Sequence, residues 1–281
     1  MNAETTTNIH AEAVDYDPLK SVLGRLISRN VFLRRMFYAA LGMLFLRQWH
    51  VRAELKRIAR EKTVTGIFDA GSGYGQYTYL MGKFFPDAHI LALDVKEEQI
   101  ADGQWFSERV GQNNVEFILG DLTKFQKPES ADLALSVDVM EHVLEDEAVF
   151  RNVFATLRSG GLFVITTPTA QKETKPGDEF ESVIGEHVRE GYTEDEFRGK
   201  ITRAGFTIDK MRRTYTPVWG PLAWHILQRI PMRLLSLSKI FIVVVIPWMI
   251  VLYLPAALCM WLDVKNKGEH GGGWLMVARK P

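Results

Sequence analysis

Phe68-Asp69-Ala70-Gly71-Ser72-Gly73-Tyr74-Gly75 decides the fold of this 281-residue chain. An apolar run at 64–68 leads into it, and a helical stretch follows. Glycines at 71, 73 and 75 let the backbone turn sharply and bring N–H groups close to a bound ligand. A dinucleotide fingerprint would need its third glycine at position 76, which is Gln76, so the spacing is G-x-G-x-G.

Outward from this turn, strand and helix signals alternate. Short apolar runs recur at 90–93, 115–119, 133–137 and 162–166, with helical intervals long enough for right-handed crossovers. That alternation predicts a parallel, doubly wound sheet in an α/β fold. A sixth strand is expected over 206–213, after the helix opened by Thr193-Glu194-Asp195-Glu196, and a seventh over 274–278. Asp94 ends the second run, nineteen residues after Gly75, where a carboxylate can accept both hydroxyls of a ribose. Phe117-Ile118-Leu119-Gly120-Asp121-Leu122 ends the third strand. Leu135-Ser136-Val137-Asp138-Val139-Met140-Glu141-His142-Val143 leaves the fourth and enters a helix.

Taken in this order and spacing, these elements resemble the class I S-adenosylmethionine-dependent methyltransferases over about residues 65–215 plus the terminal strand. The glycine turn is similar to that family's motif I. The Asp138–His142 stretch is similar to the D-x-x-E-H signature of its small-molecule and quinone-precursor members. Leu157-Arg158-Ser159-Gly160-Gly161 is similar to the L-x-P-G-G turn, with Ser159 replacing the proline. The resemblance implies a Rossmann-like seven-stranded sheet whose last strand is antiparallel, and S-adenosyl-L-methionine as cofactor. It implies that Asp69, Gly71, Ser72, Gly73 and Gly75 cradle the cofactor, with Asp94 and Val95 at its ribose. Asp121 and Leu122 would sit at its adenine and Asp138 at its methionine end.

Methyl transfer from a sulfonium is an in-line displacement on an activated carbon, so positioning and exclusion of water carry most of the chemistry. For an amine, phenol or acidic carbon a general base can be needed as well. His142 is the first candidate and His187, in the stretch after the fifth strand, the second. Glu141 would orient His142 or face solvent; it and Tyr192 are assigned to the substrate pocket, with Trp105 a further candidate wall. Asp138, Glu141 and His142 have a spacing that a metal could use, but no metal is assigned.

The ends of the chain carry different signals. Residues 1–17 read as a mobile polar tail without a basic or apolar stretch, so no secretory signal is expected. Residues 18–62 read as basic amphipathic helices, with a local charge of +9 over 20–62. They suit either an anionic membrane surface or a cap packed on the domain. Cys259 is the only cysteine, which leaves no disulfide framework. The methyltransferase-like domain is assigned to 63–217 and 271–281, interrupted by a hydrophobic insertion at 218–270. Within the insertion, 240–262 is an uncharged run long enough to cross a bilayer once, broken by Pro247 and Pro255. If strands six and seven share a sheet, the chain must return to the side it left. The prolines would then let the segment turn within the membrane, which favours a monotopic, re-entrant insertion.

Together these features predict methyl transfer to a lipid-like acceptor, either a lipid head group or a prenylated quinone precursor, at the cytosolic side of a membrane. The alternatives are a soluble small-molecule acceptor, with the insertion packing an oligomer, and an NAD-dependent oxidoreductase, which Gln76 disfavours. No nucleic-acid partner is expected, because the basic residues alternate with Leu, Phe, Met and Trp and no base-flipping motif occurs.

Overall fold

The apolar runs form one seven-stranded sheet in the computed structural model of the chain, which describes residues 30–170, 188–266 and 268–281. The strands are β1 (Gly66–Ala70), β2 (His89–Asp94), β3 (Val115–Leu119), β4 (Ala131–Val137), β5 (Leu157–Pro168), β6 (Thr207–Thr214) and β7 (Gly273–Arg279). Their order is β3-β2-β1-β4-β5-β7-β6. The first five pair in parallel, and β7 runs antiparallel between β5 and β6. The order reverses beside β1, the switch point at which open α/β sheets bind ligands.

Alternation along the strands fills two layers. Phe68 of β1 faces a core closed by α5 (Asp146–Thr156) and α6 (Glu194–Arg203), while Ile67 faces the opposite core. That second core is closed by α2 (Leu46–Glu61) and α3 (Gln76–Phe84). α4 (Glu97–Val110) packs on β2 and β3, and α1 (Val31–Leu44) lies against α4.

The basic N-terminal block therefore divides. The tail, and residues 18–29 of the block, lie outside the described residues. α2 is a core helix, burying Val51, Leu55 and Ile58 against the sheet. Three of the block's arginines are occupied internally: Arg34 with Asp102, Arg47 with Asp138, and Arg57 with Glu54 and Glu61. Among the described residues of the block, α1 presents an apolar stripe to the outside, through Phe32, Leu33, Met36 and Met43.

The insertion is a helical hairpin. α7 (Trp219–Trp224) continues through a π turn (His225–Arg229) into α8 (Ile230–Leu237). The chain turns at a short 3-10 segment (Lys239–Phe241) and returns along α9 (Ile242–Lys265). Strand pairing demands a return to the same side, and the hairpin provides it. The expected turn at the prolines does not occur: α9 runs unbroken through Pro247 and Pro255. Each proline removes one intrahelical hydrogen bond, and the remaining bonds and the packed foot of the helix keep it continuous. At 1.5 Å per residue, α9 is roughly 36 Å long.

The hairpin is packed at its foot and bare above it. Leu46, Ala223, Leu227, Ala256, Cys259 and Met260 form a small buried cluster joining it to the domain. Higher up, Val243, Ile250, Val251 and Leu254 are each at least 70% exposed. Only 11% of the most apolar stretch of this helix is buried. Among the aromatics of α9, Trp248 donates its indole N–H to Ile226 O at 2.9 Å and Tyr253 packs against the foot cluster. Trp261 remains half exposed.

Candidate active site

The glycine turn is built as its spacing requires. Gly71, Gly73 and Gly75 all have positive φ (89°, 51° and 73°). At Gly71 a Cβ would lie 2.5 Å from Val139 Cγ2, so the loop can pass over β4 only without a side chain. Gly71 N and Ser72 N both donate to Leu93 O, tying the loop to β2. Gly73 N donates to Asp94 Oδ2 at 2.8 Å, which brings the glycine turn and the β2 carboxylate together. Asp94 Oδ1 accepts from Lys96 N at 3.0 Å, leaving carboxylate lone pairs for further donors.

Asp69 lies beneath the loop, fully buried, accepting from Thr78 Oγ1 at 2.5 Å. Burial, reinforced by the charge of Asp94 and opposed by the Thr78 hydrogen bond, pushes its carboxyl up to about 7. Val95 is exposed beside Asp94. Asp121 is half-buried, with Oδ1 accepting from Thr123 N and Oγ1, and these bonds hold its carboxyl below the usual range. Leu122 is buried behind it.

These residues fit S-adenosylmethionine. The Ser72 hydroxyl and the Gln76 side-chain carbonyl are buried at the turn without a protein partner. A Cβ at Gly73 would meet nothing closer than 3.9 Å, so its backbone faces open space. Polar atoms left idle beside an open backbone are what a polar ligand would complete.

Beyond the loop, β4 ends at Asp138, one of three non-glycine residues with positive φ among the described residues. Its N–H donates to Thr166 O, its Oδ1 accepts from Thr166 Oγ1 at 2.9 Å, and its Oδ2 is paired with Arg47. Tyr215, just past β6, is a second, with φ 56°. A tyrosine in that region is held there by its surroundings. Gly220 makes room for it, since a Cβ there would stand 2.8 Å from Tyr215 Cα.

Asp138, Arg47 and Tyr215 share one cavity of about 690 Å³. It lies at the carboxyl ends of β4, β5 and β6. Thr166, Thr167 and Pro168 wall one side, Leu44 to Leu46 a second, and Ala223, Trp224 and Met260 of the hairpin a third. Phe45 and Trp224 are both more than 40% exposed, so the cavity borders the outer surface between α1 and the hairpin. Gln228 Nε2 donates to Leu44 O across this boundary at 3.3 Å.

The catalytic candidates divide sharply. His142 closes the 3-10 turn Met140–His142 and is half-buried, but the cavity wall is built without it. His187 lies outside the described residues. Glu141 does not face solvent: it is 1% exposed and accepts from Thr167 Oγ1 at 3.3 Å. Burial, and then the charge of Asp138, push its carboxyl up to about 8. Tyr192 is not a pocket wall. It is wholly buried, its hydroxyl donating to Asp146 Oδ2 at 2.5 Å and its ring stacked on Phe197. Trp105 lies under the Arg109 guanidinium on α4, away from the cavity.

The cavity instead contains His50 and His225, which motif reading did not single out. His50 is structural. Nδ1 accepts from Arg212 at 2.9 Å and Nε2 donates to Asp263 at 2.8 Å, so the ring is neutral and joins α2, β6 and α9. Burial, the dominant cause, lowers its pKa further from that of a free imidazole. His225 donates through Nδ1 to Pro221 O and accepts at Nε2 from Arg229, both at 2.6 Å.

A family described as a methyltransferase domain matches residues 62–211. Among curated relatives, a malonyl-[acyl-carrier protein] O-methyltransferase from Bacillus cereus is 31% identical over 113 residues, 40% of this chain and 41% of the relative. Phosphoethanolamine N-methyltransferase 1 from Arabidopsis thaliana is 27% identical over 143 residues, 50% of this chain and 28% of the relative. The chain thus spans less than half the length of these relatives. A solved structure of Haemonchus contortus phosphoethanolamine N-methyltransferase 2 in complex with S-adenosyl-L-methionine shares the fold. Its TM-score is 0.61 at 18% identity, covering 95% of this chain and 61% of that one.

Proposed function

This chain belongs to the methyltransferase-domain family and is a class I S-adenosylmethionine-dependent methyltransferase, and from that premise we propose that it methylates a lipid-like acceptor at the cytosolic surface of a membrane. The acceptor would be a lipid head group or a prenylated quinone precursor. One observation carries this reading: the acceptor-sized cavity beside Asp138 is walled by the foot of the same hairpin whose upper part bares Val243, Ile250, Val251 and Leu254. Soluble proteins rarely leave so large an apolar surface uncovered, and such surfaces mark membrane or partner contact. A lipid chain following the hairpin would bring its polar end to the cavity. The relatives' names specify different acceptors, so family membership leaves that choice open.

S-adenosylmethionine, when bound, supplies a methyl group already activated on a sulfonium. The protein's own residues then have three tasks. Asp94, the glycine turn and Asp138 hold the donor. Thr166, Thr167 and Tyr215 shape the place of the acceptor. Leu44, Leu46, Ala223 and Met260 keep water out, which lets orientation contribute several kcal/mol to the barrier. Where the acceptor must lose a proton, His187 stands as the candidate base.

The test is to incubate the purified protein with membrane lipid extract and methyl-labelled S-adenosylmethionine, then identify the labelled species by mass spectrometry. Label in a lipid supports the proposal. Label only in water-soluble molecules, with the protein a stable oligomer through the hairpin, would overturn it.

A further inference from the structure

Arg47 sits where the N-terminal helices meet the catalytic cavity. It belongs to the first turn of α2, yet its guanidinium reaches across to Asp138 and faces Tyr215, Tyr77 and Glu141 as well. At the other end of the same helical pair, Arg34 Nη2 donates to Tyr74 O at 2.8 Å, and the Tyr38 hydroxyl bonds the same carbonyl. Tyr74 is part of the glycine turn. The N-terminal helices therefore hold both ends of the cofactor cleft, the turn through Tyr74 and the β4 end through Asp138.

We propose that Arg47 binds the α-carboxylate of the cofactor's methionine end while Asp138 takes its α-ammonium. The methionine end is a zwitterion, and the Arg47–Asp138 pair is its charge complement. Without ligand the two side chains satisfy each other; with ligand each exchanges one ionic partner for another of the same sign, so no buried charge is left unpaired. A guanidinium presents parallel donors that match a carboxylate, and at 40% exposure the Arg47 side chain has room to move. Asp138, held with positive φ and anchored by Thr166, is the fixed half of the clamp. Because Arg47 also lines the acceptor cavity, filling the cofactor site resets one wall of the acceptor site. The inference rests on the cofactor and is independent of which acceptor is used.

Calorimetry on the full chain in detergent micelles tests it, using two ligands that differ at the methionine end. S-adenosylhomocysteine carries the carboxylate and ammonium, whereas 5′-methylthioadenosine lacks both. Arg47→Ala should weaken S-adenosylhomocysteine by about 10- to 100-fold, the range for a charge-assisted hydrogen bond. Arg47→Lys should restore part of that loss. Methylthioadenosine should bind both variants within twofold of the wild type. Unchanged S-adenosylhomocysteine binding in Arg47→Ala would overturn the proposal. So would an equal loss for both ligands, which would make Arg47 only an anchor for the helices.

Discussion

Asp69→Asn isolates the charge held beneath the glycine turn. The wild-type carboxyl has a native pKa of about 7 against 3.8 for the ordinary group. Below about pH 4 both folded and unfolded chains hold the proton, and the group does not oppose folding. Between the two values the unfolded chain releases its proton while the native state keeps it, so stability falls as pH rises, by about 1.4 kcal/mol per unit. Above pH 7 both forms are ionised and the loss levels off at about 4 kcal/mol. Asparagine stays neutral and can still accept from the Thr78 hydroxyl, while its amide N–H group adds a cost independent of pH. The measurement is urea unfolding of both proteins from pH 5 to 8, with and without S-adenosylhomocysteine. The wild type should lose about 2–3 kcal/mol relative to the variant across that range. A stability difference that stays constant with pH would refute the reasoning and place an ionised carboxylate under the loop throughout.

Four further outcomes follow from the same geometry. Asp94→Ala should weaken S-adenosylhomocysteine by about 10- to 100-fold in calorimetry, since a charged acceptor beside Gly73 is lost; unaltered affinity would remove Asp94 from the ribose site. His187→Ala should slow turnover by about 10²–10⁴ if it is the base. His142→Ala should stay within tenfold because His142 lies outside the cavity, and a reversed order would return His142 to the base role. Asp263→Ala strips acceptors from His50 and Thr216, whose bonds are all buried; it should cost about 3–5 kcal/mol in thermal unfolding, and a change below 1 kcal/mol would mean that the foot is not held this way. Val243, Ile250 and Leu254, changed together to Gln, should release the protein from liposomes at physiological salt while leaving its melting temperature nearly unchanged. The wild type should stay bound in high salt, because apolar burial is not screened; release of the wild type by salt alone would deny the hairpin its role.

The fold was readable because each strand announces itself locally. A run such as 115–119 coincides with β3, and the G-x-G-x-G turn fixes which strand leads and where the ligand end of the sheet lies. The end of the second apolar run placed Asp94 at the tip of β2, where it accepts from Gly73 N, though a strand-end acid is a weak signal by itself. Tyr192 failed for a complementary reason. Its neighbourhood in sequence resembles a pocket loop, but Asp146 gives its hydroxyl a buried partner and Phe197 gives its ring a stacking surface, and neither is visible without the tertiary contacts. The prolines of α9 misled in the same way: a local rule for ending helices was overruled by the packed foot and by the length of the apolar run.

Two residues of the cavity wall, Arg47 and Tyr215, were illegible because no motif of the family resemblance marks them. Arg47 is one arginine in a basic block whose charge suggested a surface role, and only the fold carries it to Asp138. Tyr215 is marked by backbone strain and by the space left at Gly220, features with no signature in a single sequence. Arg47 comes from the N-terminal helices and Tyr215 stands at the end of β6 beside the insertion, whereas the glycine turn, Asp94 and Asp138 lie on the shared sheet. This division has a physical basis. The donor is common to the family, so most of its expected site lies in the turns of the shared sheet; the cavity proposed for the acceptor adds walls from the outer segments to Thr166 and Thr167 of β5. In this chain those segments are the hairpin and the helix pair that clasps the cofactor cleft, and His50 locks them together through Asp263 and Arg212. A change at the hairpin foot should therefore be felt at the cavity walls and Arg47 before the ribose end of the cofactor site, because β1, β2 and the glycine turn make none of those contacts.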